Sequence, residues 1–342
     1  MSSNPRRIDV HHHLQPPKFI SWLNENHPEW TGGPDIPKWT PEIGLEVMDR
    51  NGIETAIAST CPQVYWGDIE QTKYWSTYAN EYAARVMQDH PKRYGAMATL
   101  PLPDVDAACN EAIYALDELG LDAVVLFASQ GPQYLGDPSY EPLMELLNER
   151  DAIVLIHPCT SPPGANVPRL HIPYGLIEFM ADTSRAVTQL LINGVFERYP
   201  RIRWIISHAG AMIPYISFRM RFIDLKPEWG SKNAPKGSMH YLQNLYYDTA
   251  ISPSDPMFAA LTQFAKPDHI LFGSDYPLVA EPVVRMETAA FDASKVLDAK
   301  QHKAIARDNA LKLFPRFGKQ FQLFSRPSNG LAVRERLPGE PG

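Results

Sequence analysis

The sequence predicts an α/β fold of the (β/α)8 TIM-barrel type, formed by a single domain over residues 1–342. Strand-like and helix-like segments alternate about eight times over roughly 300 residues, which favours a closed parallel barrel over an open sheet. A histidine or an aspartate follows the predicted ends of strands 1, 5, 6 and 8, at His13, His157, His208 and Asp275. The carboxyl ends of all strands in such a barrel meet on one face, so these four side chains are expected to lie together.

The first predicted strand runs through Ile8-Asp9-Val10 into three consecutive histidines, His11, His12 and His13. Side chains alternate along a strand, so His11 and His13 are expected on one side and His12 on the other. Two imidazoles placed in this way are able to share a divalent metal. An expression tag or a surface cluster is the alternative, but a tag usually has about six histidines and does not end an apolar strand.

Residues 15–40 are rich in Pro, Gly, Trp and Asn. We predict a long, lid-like insertion over the barrel mouth, with one short helix at 19–26. Its tryptophans, Trp22, Trp30 and Trp39, either line an aromatic pocket or pack the insertion onto its own domain. The sequence leaves both interpretations open.

Helix and strand signals then alternate regularly. Thr40 is in position to cap a helix over 41–51, and Pro41 suits its first turn. The continuously apolar run 152–156 is typical of a strand buried on both faces of a parallel sheet. The other segments predicted in this half are strands at 54–59, 94–100 and 123–127, and helices at 69–89, 105–119 and 140–149.

The second half continues the pattern. Asp182 is predicted to cap a helix at 183–199, and Asp255 to cap a helix at 256–264. The remaining predictions are strands at 203–207, 245–248 and 270–274, and helices at 213–223, 237–243, 283–297 and 300–313. The polar tail at 316–342 is expected to extend from the barrel or to wrap around a partner subunit.

Composition excludes several classes of function. The net charge of −7 argues against a general nucleic-acid binder, because binding to phosphates requires clustered Lys and Arg. No apolar run approaches the ~18 residues of a membrane span, and no signal peptide is evident, so a cytoplasmic location is expected. Cys61, Cys109 and Cys159 are predicted to be reduced thiols that serve in packing. The expected partner is a small molecule.

Five segments resemble the amidohydrolase superfamily, and within it the aminocarboxymuconate-semialdehyde decarboxylase (ACMSD)-like branch of metal-dependent decarboxylases. The resemblance extends from Ile8 to about Phe314. The segments that carry it are 8–13 (IDVHHH), 156–158 (IHP), 194–200 (GVFERYP), 207–211 (SHAGA) and 273–277 (GSDYP). The overall pattern is similar to that of 6-methylsalicylate decarboxylases, which release CO2 from an ortho-hydroxybenzoate.

The resemblance implies a metal site and a catalytic histidine. It implies that His11, His13, His157 and Asp275 bind one divalent metal, most often Zn2+, with Mn2+ as the alternative. His208 would lie beside the metal as an acid/base or polarising group. The predicted fourth strand, 123–127, contains no lysine that could be carboxylated to bridge a second metal. A single metal is therefore expected.

The resemblance also bears on the substrate and the assembly. The decarboxylase after which the branch is named has two arginines that clamp the second carboxylate of a dicarboxylate, one of them from a neighbouring subunit. Arg219 is similar to the inter-subunit arginine, but the loop before Trp39 holds no counterpart of the other. Half of a bidentate clamp is a poor dicarboxylate site, so we expect an aromatic monocarboxylate. A homodimer or a dimer of dimers is implied.

The implied reaction converts an ortho-hydroxybenzoate into a phenol and CO2. Asp275 would carry a proton to the ring carbon, while His208 would hold the phenolate or shuttle protons. Metal-dependent hydrolysis of an amide or lactone is the alternative, because the metal ligands alone do not separate the two reactions. A non-catalytic metal-binding protein is a third interpretation, which would require the same residues to persist without chemistry.

Four aromatic residues are candidates for the wall of the substrate site. They are Trp66 and Phe127, which we predict to bind the substrate, together with Tyr65 and Phe179. Ordinary packing explains each of them, taken singly, at least as well.

Overall fold

A parallel sheet of seven strands forms the centre of the fold. The computed structural model describes residues 6–31, 36–131, 133–159 and 172–318. The strands are β1 Arg7–Leu14, β2 Ile53–Thr60, β3 Tyr94–Thr99, β4 Ala123–Phe127, β5 Ile153–His157, β6 Arg203–Ile206 and β7 Tyr246–Tyr247. Each strand pairs in parallel with the next one along the chain. The predicted rhythm of strands is confirmed.

The segment 270–276 closes this sheet into a barrel. The N–H of Leu271 donates to the carbonyl of Tyr247 at 2.8 Å on one side, and the carbonyl of Phe272 accepts from the N–H of Val10 at 2.9 Å on the other. The sequence predicts a regular strand at 270–274, but among the described residues the segment makes only an isolated bridge, between Tyr247 and Ile270. The barrel is therefore complete, with an irregular eighth element.

The irregularity arises where the closing segment passes β1. The N–H groups of Ser274 and Asp275 both donate to the carbonyl of His11, at 3.3 and 2.8 Å, which a regular ladder does not allow. A Cβ atom at Gly273 would lie 2.8 Å from the Cβ of His11, so only glycine permits this approach. The bend directs the Asp275 side chain toward β1.

Helices surround the barrel. They are Pro17–Asn26, Pro41–Arg50, Ile69–Asp89, Val105–Ile113, Glu141–Glu149, Glu178–Ile192, Val195–Arg198, Ile213–Met220, Gly230–Asn233, Ser238–Leu242, Asp255–Phe264, Glu281–Ala293, Ala299–Lys303 and Asn309–Leu313. Thr40 caps its helix as predicted, because its side chain accepts from the N–H of Ile43. No helix of the described residues combines the length and the apolar composition needed to cross a membrane.

Two predicted helix caps are wrong. The helix predicted from Thr183 begins earlier, at Glu178, so Asp182 lies inside it and is buried. The Asp182 carboxylate instead accepts from the N–H of Cys159 at 2.9 Å and so holds the chain that follows β5. The helix predicted to be capped by Asp255 is capped by Ser254, whose hydroxyl accepts from Met257 N–H. Asp255 occupies the first turn, where a negative charge favours the helix dipole.

Apolar side chains fill the barrel below the site. Ile8, Val10, Val125, Leu155 and Leu271 pack together in the interior, and the last helix, Asn309–Leu313, adds Ala310 and Leu313 to the same cluster. The C-terminal helices therefore close the lower end of the barrel. Most of the predicted tail, at 319–342, and part of the predicted lid, at 32–35, lie outside the described residues.

Candidate metal centre and active site

A bulge in β1 precedes His11 and His13 and directs both side chains into the barrel mouth. Asp9 pairs with Ala56 and His12 with Ala58, so β1 holds one more residue than β2 between these pairs. An added residue of this kind re-aims the side chains that follow it and is common beside active sites. His11 and His13 then share one side, with ring centroids 5.1 Å apart. His12 is buried on the other side, where its Nδ1 lies 3.1 Å from Asp9 Oδ2.

The predicted metal ligands converge on one carboxylate oxygen. Asp275 Oδ1 lies 2.8 Å from His13 Nε2, 3.0 Å from His11 Nε2 and 3.8 Å from His157 Nε2. One ligand atom from each of His11, His157, His208 and Asp275 lies within 4.8 Å of the others. Four chain segments that are far apart in sequence thus meet at the carboxyl ends of their strands.

Contacts at Nδ1 of three imidazoles direct each Nε2 toward the Asp275 carboxylate, where a cation can bind between them. His11 Nδ1 pairs with Asp248 Oδ2 at 2.8 Å, and His157 Nδ1 donates to the carbonyl of Pro158 at 2.8 Å. His13 Nδ1 lies 3.0 Å from Ser59 Oγ. A proton held on Nδ1 fixes the tautomer in which Nε2 carries the lone pair, as is usual for metal-binding histidines.

Buried nitrogens without hydrogen-bond partners support the same interpretation. His11 Nε2, His157 Nε2 and His208 Nδ1 are all buried, and none makes a well-aligned hydrogen bond to any residue that the structure describes. Leaving such groups unpaired costs about 1–3 kcal/mol each, so their convergence requires an explanation. Nitrogen and carboxylate donors in this number suit a divalent transition metal, and the residues therefore fit the metal that the sequence predicts.

His208 is held in place by a strained turn and by Asp248. After β6 the chain adopts positive φ at His208 (54°), Ala209 (56°) and Ala211 (54°), a conformation that such residues rarely adopt. Asp248 follows β7 and is fully buried; its Oδ1 accepts from the His208 N–H at 2.9 Å. The same carboxylate binds His11, so one side chain orients two histidines of the site.

Burial and the neighbouring charges set the ionisation of the site. Burial lowers the pKa of His13 to about 3 and that of His208 to about 4, so both imidazoles are neutral at pH 7. Burial opposes the charge on Asp275, but the imidazoles of His11 and His13 outweigh it, and the pKa of Asp275 lies well below its usual value. Burial also opposes a charged His11, yet Asp248 raises its pKa well above the usual value. A metal competes with that proton for Nε2.

A cavity of about 400 Å³ opens above these groups. His157, His208 and Asp275 form its floor. Its walls are mainly apolar and include Trp30, Ile36, Leu176, Phe179, Ile251 and Leu278. Among the described residues, no lysine or arginine lines it. The volume suits a small ligand, and the apolar walls suit an aromatic ring.

The residues predicted to bind substrate lie in different places. Phe127 ends β4, and its ring centroid lies 5.6 Å from that of His157. Phe179 lines the cavity. Trp66 instead stacks on His27, with ring centroids 4.7 Å apart, in a separate depression. Arg219 is exposed on the outer helix Ile213–Met220. The structure thus brings Phe127 and Phe179 to the site, and leaves Trp66 and Arg219 outside its cavity.

Of the three tryptophans in the predicted lid, one lines the cavity and two pack against other parts of the chain. Trp30 lines the cavity, whereas Trp22 packs against Trp75, with ring centroids 5.4 Å apart. Trp39 is buried against Tyr94. Both of the interpretations that the sequence leaves open therefore apply, each to different residues.

Sequence reasoning missed three residues near the metal ligands. Asp248 holds His11 and His208, and Ser59 holds His13; both sit at or just after the end of a strand, a position that could have identified them. Glu287 lies on the outer helix Glu281–Ala293 and is buried, and among the described residues neither of its carboxylate oxygens has a side-chain hydrogen-bond donor. Burial and then the charge of Asp275 raise the pKa of Glu287 to about 9. No sequence pattern pointed to it.

Comparisons with known proteins agree with this architecture. A family model described as amidohydrolase matches residues 8–316. A 6-methylsalicylic acid decarboxylase of Aspergillus aculeatus is 34% identical over 325 residues, which span 91% of this chain and 96% of that protein.

Two solved structures have the same fold. A protein named amidohydrolase II superposes with a TM-score of 0.83 at 29% identity, covering 90% of this chain and 99% of its own. A dihydroxybenzoic acid decarboxylase from Polaromonas sp. JS666, with bound manganese and the inhibitor 2-nitroresorcinol, superposes with a TM-score of 0.75 at 21% identity. That match covers 90% of this chain and 96% of the solved chain.

Proposed function

This chain belongs to the amidohydrolase family, and from that membership we propose that it is a metal-dependent decarboxylase that converts an ortho-hydroxybenzoate into a phenol and CO2. One observation carries the proposal: two of the proposed metal ligands, His157 and Asp275, together with His208, form the floor of a cavity with apolar walls and, among the described residues, no cationic side chain. Such a site suits an aromatic ring whose single carboxylate points at the metal. The 6-methylsalicylic acid decarboxylase relative supports the same class of substrate.

The metal would be held by His11, His13, His157 and Asp275, with His208 beside them. When bound, a divalent metal supplies a Lewis acid that attracts the carboxylate and the adjacent phenolic oxygen of the substrate. We propose Zn2+ or Mn2+; the manganese in the Polaromonas decarboxylase favours testing Mn2+ first. Both ions accept nitrogen and carboxylate donors.

Asp275 is proposed to relay the proton that replaces the carboxylate. When the C–C bond breaks, its electron pair stays on the ring carbon, which must take up a proton. The low pKa of Asp275 means that its carboxylate is ionised at neutral pH and must first accept a proton. The phenolic hydroxyl beside the substrate carboxylate is the nearest source, and Asp275 then delivers that proton to the ring carbon.

His208 is proposed to bind the phenolic oxygen. Its imidazole is neutral at pH 7, because burial lowers its pKa to about 4, and its Nδ1 has no hydrogen-bond partner within the described part of the chain. A neutral imidazole is able to donate to the phenolate left after the proton moves to Asp275. The rigid turn at His208 and the hydrogen bond from its N–H to Asp248 hold it ready for this role.

The walls of the cavity are proposed to select the ring. Phe179, Leu278 and Trp30 present apolar surface to the substrate, and Phe127 supports the floor against His157. An alkyl substituent on the ring would be favoured here over a second charged group, because an unpaired charge is costly to bury. The lid role of residues 15–40, substrate binding by Trp66 and the cytoplasmic location expected from the sequence stay predictions.

We propose that two copies of the chain form a homodimer through one outer face. Tyr215, Phe218, Phe222 and Leu225 form this aromatic face, and Tyr215 and Leu225 are 90% and 75% exposed. Exposed apolar side chains in such a cluster are typical of protein interfaces. Arg219 lies among them, so in a dimer it would face the partner.

Mixing two inactive variants tests whether Arg219 serves the partner's site. Arg219→Ala and His208→Ala each should lose turnover, and a mixture should regain part of it when subunits exchange, because one of the two hybrid sites is intact. No recovery in a mixture that demonstrably exchanges subunits would mean that each site is complete within one chain.

The proposed reaction is tested by CO2 release from purified protein that has been stripped of metal and reloaded with Mn2+ or Zn2+. We expect release from 6-methylsalicylate in the reloaded protein and almost none in the stripped protein. An aryl amide and a lactone serve as controls for hydrolysis. Hydrolysis of either control without CO2 release from any hydroxybenzoate would contradict the proposal and favour a metal-dependent hydrolase.

A further inference from the structure

A buried thiol lies at the edge of the metal centre. Cys61 directly follows β2 and is 1% exposed. Its Sγ, one ring nitrogen of His13 and one of His157 all lie within 4.8 Å of one another. Two imidazoles and a thiol at this spacing make a second possible ligand set, distinct from the one that contains Asp275.

Both ligand sets contain His157, and the thiol set also uses His13 of the proposed metal site, so the two arrangements exclude each other. His157 Nδ1 donates to the carbonyl of Pro158, so only Nε2 is available to a cation. One nitrogen binds one ion, and the set of His11, His157, His208 and Asp275 cannot be filled at the same time as that of His13, Cys61 and His157. The centre can therefore bind one ion in either of two arrangements, and it does not hold two ions at separate sites.

The chemistry of the donors decides which ion prefers which set. Carboxylate and imidazole suit Mn2+, whereas thiolate favours softer, thiophilic ions. We propose that Cys61 is a conditional ligand, which binds thiophilic divalent ions such as Cd2+ together with His13 and His157 and takes no part in holding Mn2+. The ion held through Cys61 would lie on the β2 side of the centre, displaced from the His11 and His208 side.

The binding step is balanced by release of one proton. The S–H bond of Cys61 breaks, a bond between sulfur and the cation forms, and the proton passes to buffer; no oxidant or reductant is involved. The Cys61 thiol is buried, so its proton leaves only when a soft cation takes its place on the sulfur. A hard cation with weak affinity for sulfur leaves it protonated.

The test uses protein that has been stripped of metal and is then titrated with Cd2+ alone. Binding is monitored by the ultraviolet charge-transfer absorption between thiolate and Cd2+. We expect this absorption to saturate at one ion per chain in the wild type and to be absent in Cys61→Ser. The Cd2+ affinity of Cys61→Ser should fall by at least about tenfold, the lower end of the loss seen even for outer partners of a metal site. The Mn2+ affinity should stay the same.

Two matched cysteine variants control for the position of the thiol. Cys159→Ser removes another buried thiol, and Cys109→Ser removes the half-buried thiol on the helix Val105–Ile113; both should keep the absorption. A Cys61→Ala variant that binds Mn2+ normally shows that loss of the signal is not loss of folding. The proposal is overturned if the wild type gives no charge-transfer absorption, or if Cys61→Ser retains it. This readout does not require decarboxylation, so it stands apart from the proposed reaction.

Discussion

Asp248→Asn tests most sharply how the histidines are held. The Asp248 carboxylate pairs with His11 Nδ1 at 2.8 Å through Oδ2, and its Oδ1 accepts from the N–H groups of His208 at 2.9 Å and Ala250 at 3.0 Å. Asparagine has only one side-chain oxygen. If that oxygen serves the two backbone N–H groups, the new NH2 group faces His11 Nδ1, which must then give up its proton. The ring proton moves to Nε2, the atom that the metal requires.

The expected loss of metal affinity in Asp248→Asn follows from these contacts. A hydrogen bond to a charged group contributes about 1.5–3 kcal/mol, and loss of an outer partner of a metal-binding histidine typically weakens metal affinity by roughly 10–100-fold. That range corresponds to about 1.4–2.7 kcal/mol, so the two approaches agree. We therefore expect the Mn2+ dissociation constant of Asp248→Asn to rise by about 10–100-fold, measured by competition with a chelator.

Asp182→Asn is the matched control. Asp182 is also a buried aspartate; it accepts from Cys159 N–H and Ser129 Oγ, and among the described residues it pairs with no histidine. Its variant should lose thermal stability and keep its Mn2+ affinity. Equal metal affinities in Asp248→Asn and the wild type would refute the argument that the carboxylate fixes the His11 tautomer.

The remaining predictions concern Glu287, the cavity wall and the aromatic face. The folded protein holds the Glu287 proton up to about pH 9, whereas the unfolded chain releases it near the ordinary value of 4.5, so between these values the stability contributed by this group falls as pH rises. In denaturant unfolding, the free energy of unfolding of Glu287→Gln should therefore rise relative to that of the wild type as pH increases, by at most about 1.4 kcal/mol per pH unit in this window. A difference between the two proteins that does not change with pH would contradict the raised pKa of Glu287. Phe179→Ala should raise KM for the hydroxybenzoate on the order of tenfold with metal content unchanged, because it removes apolar wall; an unchanged KM would exclude Phe179 from the substrate site. Phe218→Asp should shift the sedimentation of the protein from dimer to monomer, and an unshifted dimer would mean that another face forms the interface.

The sequence predicted the barrel and the meeting of distant residues for a simple physical reason. Parallel strands that alternate with helices place all of their carboxyl ends on one face, so His157, His208 and Asp275 could be assigned to one place from their positions after strands. The same rule applies to Asp248, which follows β7. The sequence predicts a strand that continues through Asp248, whereas the strand ends at Tyr247, so the position of this aspartate after the strand is not evident from the sequence.

Other features depend on tertiary contacts that no local pattern contains. Asp182 resembles a helix cap in sequence, but the helix gains an earlier turn and the carboxylate holds Cys159 instead. The bulge in β1 depends on the register against β2. Trp66 follows β2 closely enough to reach the barrel mouth, yet its ring stacks on His27 and its Nε1 donates to the carbonyl of Gln63. The sequence predicts Cys61 as a packing residue, whereas the fold places it beside His13 and His157.

The most direct test of the central claim is product analysis by mass spectrometry after the Mn2+-loaded protein reacts with 6-methylsalicylate in D2O. Loss of CO2 with protonation of the ring predicts one phenol per CO2, with one deuterium on the carbon that carried the carboxylate. His208→Ala should yield far less of this product at equal metal content. Recovery of unchanged 6-methylsalicylate from fully metal-loaded protein, with the other ortho-hydroxybenzoates also unchanged, would contradict the account.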